Sequence, residues 1–227
     1  AVQSLYPEAK LGIGPAIADG FYYDFDLSHT LSDEDLPVIE QKMRVLIKQN
    51  LPFEHEVWDK EKARSFFQDR GERYKIELID ELPDETVSIF RTGEFVDLCK
   101  GPHVHSTKQI PVVALLNVAG AYWRGSEKNK MLQRIYGTAF NDKKQLKRYL
   151  YRLEEAKKRD HRKLGKELEL YDFNENIGAG LVLWYPKGAM VRTIIEDFWR
   201  SEHMKAGYQL VYTPHIGKAD LWQQSGH

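Results

Sequence analysis

The sequence predicts an α+β fold: a two-layer domain with a mostly antiparallel sheet, then a long basic helix, then the first helix and strand of a further domain. Three observations predict this fold. Two segments between Ser32 and Gly71 have helical periodicity, five short β-branched or aromatic segments follow them, and a strongly charged stretch begins at Asn141. Runs of helices followed by runs of strands are typical of α+β proteins.

Ser32 starts the first predicted helix, because Asp35 three residues later completes a capping pattern. This helix is expected to run to about Asn50. Its predicted inward residues are Leu36, Ile39, Met43, Leu46 and Ile47. Asp59 is the predicted cap of the second helix, which Gly71 ends and which turns Ala63, Phe66 and Phe67 inward.

Five strands are predicted after the second helix, each short and bounded by Pro, Gly or Asp. They are YKIELI (74–79), VSIFR (87–91), EFVDL (94–98), VVALLNV (112–118) and MLQRIYG (131–137).

The charged stretch from Asn141 predicts a long helix with a narrow apolar stripe, made of Leu146, Tyr149, Leu150 and Leu153. A narrow stripe buries little surface, which suits a linker or a helix that lies along a partner. Basic residues crowd together between 143 and 166. That charge fits either phosphate contact or a solvated helix face.

The charged stretch ends at about Leu170, and the sequence then predicts a loop, a helix and a strand. NENIGAG predicts a loop, and WYPKGA introduces a helix that Gly207 ends. The apolar face of this helix is Val191, Ile194, Ile195, Phe198 and Trp199. YQLVYTP then predicts a strand closed by Pro214.

The composition indicates a soluble protein with no membrane partner. No apolar run approaches the roughly 20 residues that a membrane span requires, and the 227 residues carry a net charge of −1. The single cysteine, Cys99, excludes an internal disulfide framework and favours a reducing compartment, so a cytoplasmic location is expected. Ala1 follows no start signal and the chain stops within an element, so we expect a fragment.

Asp97, Cys99 and His103 lie in DLCKGPHVH, at the end of a predicted strand and in the loop after it. Asp97 and Cys99 are two residues apart and face the same side if the strand persists. Three interpretations stay open: a zinc half-site, a polarised thiol, or a buried cysteine beside a hydrogen-bonded histidine. The other histidines supply no HxxxH or HxH pair, so a zinc site lacks ligands here.

Lys75, at the start of a predicted strand, is a further candidate, although most lysines are solvated. Two aromatic pairs next to glycines are core residues by default, but glycine lets a backbone approach a ligand closely. They are Tyr22, Tyr23, Tyr122 and Trp123.

Longer motifs together resemble bacterial-type threonyl-tRNA synthetases over essentially the whole chain. They are LGIGPAIADGFYYDFDL, VDLCKGPHV, AGAYWRGSEKNKMLQRIYGTAF, KKRDHRKLGKELELY and GLVLWYPKGAMVRTIIEDFWRSEHMKAGYQLVYTP. The resemblance implies three parts. Residues 1–140 would be most of the editing domain, 141–170 a basic linker helix, and 171–227 the start of the class II catalytic domain with its dimer-forming first motif.

The resemblance also implies an activity, hydrolysis of mischarged Ser-tRNA(Thr) by a bound water, and a role for each site residue. Lys75 would orient the water or the ribose, and Asp97 would hold the seryl amino group. His103 would contribute a hydrogen bond or transfer a proton. Cys99 would line the pocket, with Tyr22 or Tyr23 at its wall. The same resemblance places an HxxxH half of the site before Ala1.

The family further implies tRNA(Thr) as a partner and a homodimer through the first motif. Candidate tRNA contacts are Lys147, Arg148, Lys158 and Arg162. No cofactor is expected in this region, whereas ATP, Mg²⁺ and Zn²⁺ serve the complete enzyme. Cys99 and His103 would bind zinc only if this site behaves like that of the alanyl relatives.

Two other functions stay open from the sequence. One is a tRNA-binding module without catalysis, in which the cysteine and histidine belong to the core. The other is a free-standing zinc-dependent deacylase, which has no use for the dimer motif after residue 171.

Overall fold

The computed structural model describes residues 1–226. The helices are α1 (Val2–Leu5), α2 (Leu36–Lys48), α3 (Lys60–Asp69), α4 (Arg73–Glu81), α5 (Lys143–Lys158), α6 (His161–Glu167), α7 (Pro186–Lys205) and α8 (Ala219–Ser225). The strands are β1 (Lys10–Leu11), β2 (Ala16–Ile17), β3 (Gly20–Asp26), β4 (Glu54–Asp59), β5 (Thr86–Thr92), β6 (Phe95–Leu98), β7 (Val112–Tyr122), β8 (Met131–Phe140), β9 (Tyr171–Phe173) and β10 (Val182–Trp184).

A five-stranded antiparallel sheet holds β1, β3, β8 and β7 in that order, and β2 also pairs with β3. Phe25 and Ile135 of this sheet are buried in one cluster with Leu36 and Ile39 of α2. Glu40 of α2 also accepts a hydrogen bond from the backbone N–H of Leu115 on β7, at 3.2 Å. Apolar burial and this hydrogen bond therefore hold α2 against the sheet.

A second antiparallel sheet has the order β4, β5, β6. Alternate residues of its strands, Val87, Ile89 and Val96, are buried together with Phe67 of α3 and Ile79 of α4. Successive side chains of a strand point to opposite faces. The other face of this sheet therefore carries Ser88, Phe90 and Asp97, and it contributes to the candidate site.

The mixture of helices and antiparallel sheets confirms the predicted α+β class. The strands predicted at 87–91, 94–98, 112–118 and 131–137 are β5 to β8, and the helix predicted after Asp59 is α3. The helix predicted after WYPKGA is α7, and Gly207 follows it with φ +87°. The sequence did not predict the strands β1 to β4.

The strand predicted at 74–79 is wrong, because these residues belong to α4. A short run such as YKIELI fits both periods, and the tertiary contacts decide. Tyr74 packs in one buried cluster with Trp123, while Ile79 packs in another with Phe67. A helix can pack its opposite sides against these two clusters, whereas a strand at this place would need a neighbouring strand to pair with.

The strand predicted at YQLVYTP is also wrong, since residues 208–214 have no regular structure. Among residues 1–226 no strand is hydrogen-bonded to this segment. Val211 is 81% exposed and Tyr212 is 89% exposed. A strand without a partner leaves its backbone groups unpaired, so strand propensity alone does not form one.

The remaining differences are at helix ends. The first helix starts at Leu36 rather than after Ser32, because Asp35 accepts hydrogen bonds from the backbone N–H and the hydroxyl of Ser32, at 2.8 and 3.1 Å. The long charged helix is two helices. Asp160 separates them and caps α6 by accepting a hydrogen bond from the backbone N–H of Arg162, at 2.8 Å.

The chain divides into two compact units, residues 1–151 and residues 152 onward. The first contains both large sheets, and the second contains α6, β9, β10, α7 and α8. The three predicted domain boundaries stay predictions. Over residues 1–226, no helix is both long and apolar enough to cross a membrane.

Replacing Ile79 by Ala is expected to lower the free energy of unfolding by about 2–5 kcal/mol, because it leaves a cavity between α4 and the second sheet. Ile79 is 0% exposed and Ile17 is 44% exposed, so Ile17→Ala is a matched control. The control is expected to change the same free energy by about 0.5 kcal/mol or less. Urea unfolding of both variants measures the difference, and equal effects would contradict the placement of Ile79 in the core.

Candidate functional site

A buried ion pair lies between the two large sheets. The ammonium of Lys75 on α4 is 2.6 Å from the carboxylate of Asp97 on β6. The hydroxyl of Tyr23 on β3 donates a hydrogen bond to the same carboxylate and accepts one from Lys75 at 3.0 Å. The structure therefore brings together three of the residues singled out from the sequence.

These charges are hidden from water, since Lys75 is 2% exposed and Asp97 is 9% exposed. A buried ammonium needs a counter-charge, and Asp97 supplies it. Burial of the Tyr23 hydroxyl, together with the neighbouring Asp97 carboxylate, raises the pKa of Tyr23 well above its usual value. Tyr23 therefore stays protonated at neutral pH and keeps donating to Asp97.

Lys75 and Asp97 each keep one hydrogen-bonding position that no described residue uses. Asp97 Oδ1 contacts Lys75 and accepts from the backbone N–H of Leu98 at 2.7 Å, while Oδ2 accepts from Tyr23. A carboxylate has about four lone-pair positions and an ammonium has three donors. One acceptor position of Asp97 and one donor of Lys75 therefore remain for a further polar group.

Glu72 is a buried carboxylate beside this group that the sequence did not point to. It is 4% exposed and accepts hydrogen bonds from the backbone N–H of Leu11 at 2.7 Å and from the amide of Gln3 at 2.9 Å. Burial raises its pKa, although these hydrogen bonds and the nearby lysines oppose that shift. Glu72 ties the first residues of the chain to the start of α4, just before Lys75.

The segment after β6 carries Cys99 and His103. Cys99 is a free, half-buried thiol, and its backbone N–H donates to the carbonyl of Ser88 at 3.1 Å. His103 is exposed, and its Nδ1 is 2.9 Å from the carbonyl oxygen of Pro102. A carbonyl only accepts, so Nδ1 carries the hydrogen in this contact, while Nε2 has no hydrogen-bond partner within residues 1–226.

Phe90 and Ser88 of the second sheet contact this segment, and His55 contacts both of them; all three were missed from the sequence. The Phe90 ring lies 4.1 Å from the His103 ring, between centroids. His55 lies 4.9 Å from Phe90 and shares a hydrogen bond of 2.8 Å with the hydroxyl of Ser88. No local motif marks these residues, because only the pairing of β4 with β5 brings them together.

Within residues 1–226, no group of three or more His, Cys, Asp or Glu side chains is placed to hold a metal ion. Cys99 and His103 therefore do not form part of a complete zinc coordination sphere in this part of the chain.

Tyr22 and Tyr23 are neighbours on β3 and point to opposite faces of the sheet. Tyr23 contacts Asp97, whereas Tyr22 lies under the guanidinium of Arg134, 3.7 Å from its ring centroid. Arg134 in turn holds the buried Asp24 through two hydrogen bonds of 2.7 and 2.9 Å. Of the two candidate wall residues, Tyr23 is therefore the one that joins the Lys75 group.

Trp123 and Tyr122 also lie apart from the Lys75 group. Trp123 is 5% exposed, packs against Tyr74, and donates from its indole nitrogen to Glu77 at 2.7 Å. It lines a cleft of about 650 Å³ with Tyr74 and several charged residues. Tyr122 is 40% exposed. Their substrate-binding roles stay predictions.

The four candidate tRNA contacts fall into two classes. Lys147 and Arg148 on α5 are exposed and form no ion pair with any described residue. Lys158 instead lies 3.1 Å from Glu155, and Arg162 lies 2.7 Å from Asp160. The first pair is therefore better placed to contact phosphate.

Known proteins match this chain in two ways. Residues 87–136, which include Asp97, Cys99 and His103, match the family model of the threonyl and alanyl tRNA synthetase second additional domain. A threonine--tRNA ligase of Dehalococcoides mccartyi is 61% identical over 227 residues, which cover 100% of this chain and 39% of that protein. This chain belongs to the bacterial-type threonyl-tRNA synthetase family.

Other members are nearly as similar. The threonine--tRNA ligase of Oleidesulfovibrio alaskensis is 58% identical and that of Nitrosococcus oceani 55% identical, each over 100% of this chain and 35% of the relative. The chain thus spans between 35% and 39% of the length of these relatives. The family predicted from the motifs is confirmed, while the roles of single residues stay predictions.

Replacing Lys75 by Met is expected to lower the free energy of unfolding by about 3–5 kcal/mol, because it leaves the Asp97 carboxylate buried without its cation. The double variant Lys75→Met/Asp97→Leu is expected to lose less than the sum of the two single variants. Arg64→Met is the control, since Arg64 and Asp80 form an ion pair of 3.2 Å with both side chains 50% exposed. That control is expected to cost about 0–1 kcal/mol. Additive losses in urea unfolding would contradict a coupled pair.

Proposed function

We propose that this region is the editing domain of a threonine--tRNA ligase and hydrolyses mischarged Ser-tRNA(Thr). In the complete protein a separate domain would attach threonine to tRNA(Thr) with ATP. The observation that carries the proposal is the buried Lys75, Asp97 and Tyr23 group, next to a matched editing-associated domain that supplies Asp97, Cys99 and His103.

A synthetase for threonine needs such a domain for a physical reason. Serine lacks one methyl group of threonine, and a missing methyl group is worth only about 1–3 kcal/mol of discrimination in a pocket. Serine is therefore attached at a rate that binding alone does not suppress. A second site that admits serine and excludes threonine by size supplies the remaining discrimination.

The free positions of the buried group suit a seryl ester. The remaining acceptor of Asp97 would hold the α-ammonium of the seryl group, and the remaining donor of Lys75 would orient the attacking water or the ribose. Cys99 would line the pocket beside them. Two opposite charges would thus place the ester without a covalent intermediate.

His103 would accept a proton from the water through Nε2, which its contact with Pro102 leaves free. The water oxygen then bonds to the ester carbonyl carbon, and the bond from that carbon to the ribose oxygen breaks. The proton passes to the ribose oxygen. The products are serine and intact tRNA.

The exposed cations on α5 would add electrostatic affinity for tRNA. Lys147 and Arg148 form no ion pair with a described residue, and a free cation releases counterions when it meets a phosphate. A tRNA-binding module without catalysis is therefore the second candidate function. The two candidates differ in whether the seryl ester is cleaved.

A second copy of the chain would cover the apolar face of α7. Its large side chains are between 51% and 68% exposed, and they are Val191, Ile194, Ile195, Phe198 and Trp199. Contiguous exposed apolar surface of this kind marks an interaction site. This homodimer is part of the proposal for the complete protein.

Deacylation of Ser-tRNA(Thr) by the complete gene product that contains this chain tests the activity. Lys75→Ala and His103→Ala are each expected to lower the rate about 100-fold, because Lys75 would orient the attacking water or the ribose and His103 would accept a proton from the water. His161→Ala is the matched control, because His161 is exposed at the start of α6. Cleavage with unchanged rates in both variants would overturn the assigned roles. Binding of Ser-tRNA(Thr) without cleavage would leave the tRNA-binding module as the function.

The salt dependence of tRNA binding tests the two classes of cations. Lys147→Ala/Arg148→Ala is expected to reduce the slope of log K against log salt by about 0.7–0.9 for each phosphate that the variant no longer neutralises. Lys158→Ala/Arg162→Ala is the paired control with a smaller expected change, since both of these residues already contact carboxylates. Equal slopes for both double variants, measured by filter binding, would contradict this division.

A further inference from the structure

Phe90 lies on the face of the second sheet that carries Ser88 and Asp97, directly opposite Asp97 in the pairing of β5 with β6. Its ring fills the space beneath the loop after β6. A Cβ added to Gly101, which has φ +69°, would lie 3.0 Å from Phe90 Cζ. The loop therefore rests on the Phe90 ring and has no room for a side chain at residue 101.

The loop from Cys99 to His105 is anchored at its ends. The backbone N–H of Cys99 donates to the Ser88 carbonyl at 3.1 Å, and the carbonyl of His105 accepts from the backbone N–H of Phe53 at 3.0 Å. Between these anchors, residues 100–104 make no hydrogen bond to any other described part of the chain. The middle of the loop is therefore not held by hydrogen bonds.

His103 is fixed instead by ring contacts. Its only hydrogen bond within residues 1–226 goes to the carbonyl of the preceding residue, which moves together with the loop. The Phe90 ring at 4.1 Å and the Phe53 ring at 5.5 Å are its contacts with the sheet side of the loop. These contacts set the direction in which Nε2 points.

Phe90 is itself held from the neighbouring strand. His55 on β4 lies across from Phe90 in the pairing with β5, and its ring is 4.9 Å from the Phe90 ring. The hydrogen bond between His55 and the Ser88 hydroxyl, at 2.8 Å, fixes the orientation of His55. The contacting rings of His55, Phe90 and His103 thus connect the sheet to the loop.

We propose that Phe90 is a positioning residue, which acts through His103 by aiming Nε2 at the water that attacks the ester. This inference rests on the proposed hydrolysis of Ser-tRNA(Thr). A proton acceptor works only within hydrogen-bond reach of the proton that it takes. An error of about 1 Å in such a group lowers a rate by up to about 100-fold. An exposed imidazole on an otherwise unanchored loop therefore needs a rigid neighbour.

The test measures single-turnover deacylation of Ser-tRNA(Thr) by the complete gene product, with Phe90 replaced by Leu and by Tyr. Phe90→Leu keeps an apolar side chain but loses the ring, and we expect it to lower the maximal rate about 10-fold. The half-saturating concentration is expected to stay unchanged, because the proposed effect of Phe90 is on the orientation of His103 and not on substrate binding. Phe90→Tyr keeps the ring and is expected to retain the rate.

Two controls separate positioning from stability. Phe95→Leu alters an aromatic residue of β6 that is 42% exposed, and it is expected to keep the full rate. In a His103→Ala background, Phe90→Leu is expected to cause no further loss, because its effect passes through His103. A loss of the same factor in both backgrounds, or a full rate for Phe90→Leu, would overturn the inference.

Nitrogen NMR of the His103 ring gives a second readout that needs no activity. Relaxation of the ring nitrogens is expected to show one ordered ring in the unaltered protein and in Phe90→Tyr, and a more mobile ring in Phe90→Leu. If the unaltered protein cleaves no ester but shows this pattern, the proposed function fails while the placement of His103 by Phe90 stands. The same relaxation in all three proteins would overturn that placement. If Phe90→Leu does not fold, Phe90→Met takes its place in both measurements.

Discussion

The buried ion pair between Lys75 and Asp97 is the interaction on which the rest of this structure depends. Lys75 comes from a helix, Asp97 from the second sheet, and Tyr23, which bridges them, from the first sheet. A charge in the interior is tolerated only when its partner and hydrogen bonds are in place. Removal of any one of the three residues therefore leaves a buried polar or charged group without its partner. The contacts among them hold α4 against both sheets.

The same pair lies at the centre of the proposed reaction. Its buried charges would orient a bound polar group through the donor and the acceptor that they leave free. The raised pKa of Tyr23 keeps that hydroxyl a donor rather than a base. In the proposed hydrolysis the proton acceptor lies outside the pair, at His103, which is exposed and whose Nδ1 contacts the Pro102 carbonyl.

The sequence predicted the family, the α+β class and most elements whose pattern is local. Residues 87–98 show β-branched and aromatic alternation, and Asp59 with Gly71 marks the ends of a helix. Where only tertiary contacts decide, the prediction failed, as in the helix that carries Lys75. Lys75, Asp97 and Tyr23 were named from the sequence, but their mutual contact was not, because they are far apart in the chain. Glu72, His55 and Phe90 carry no local signal at all.

In the proposed reaction the site would have two tasks with opposite requirements. Holding an ammonium group favours burial, since charges attract more strongly away from water. Passing a proton to and from water favours exposure, and an exposed loop is poorly held. The loop of Cys99 and His103 resolves this conflict by resting on Phe90, whose strand also pairs with that of Asp97. Strand β5 thus contacts both the strand of Asp97 and the loop of His103.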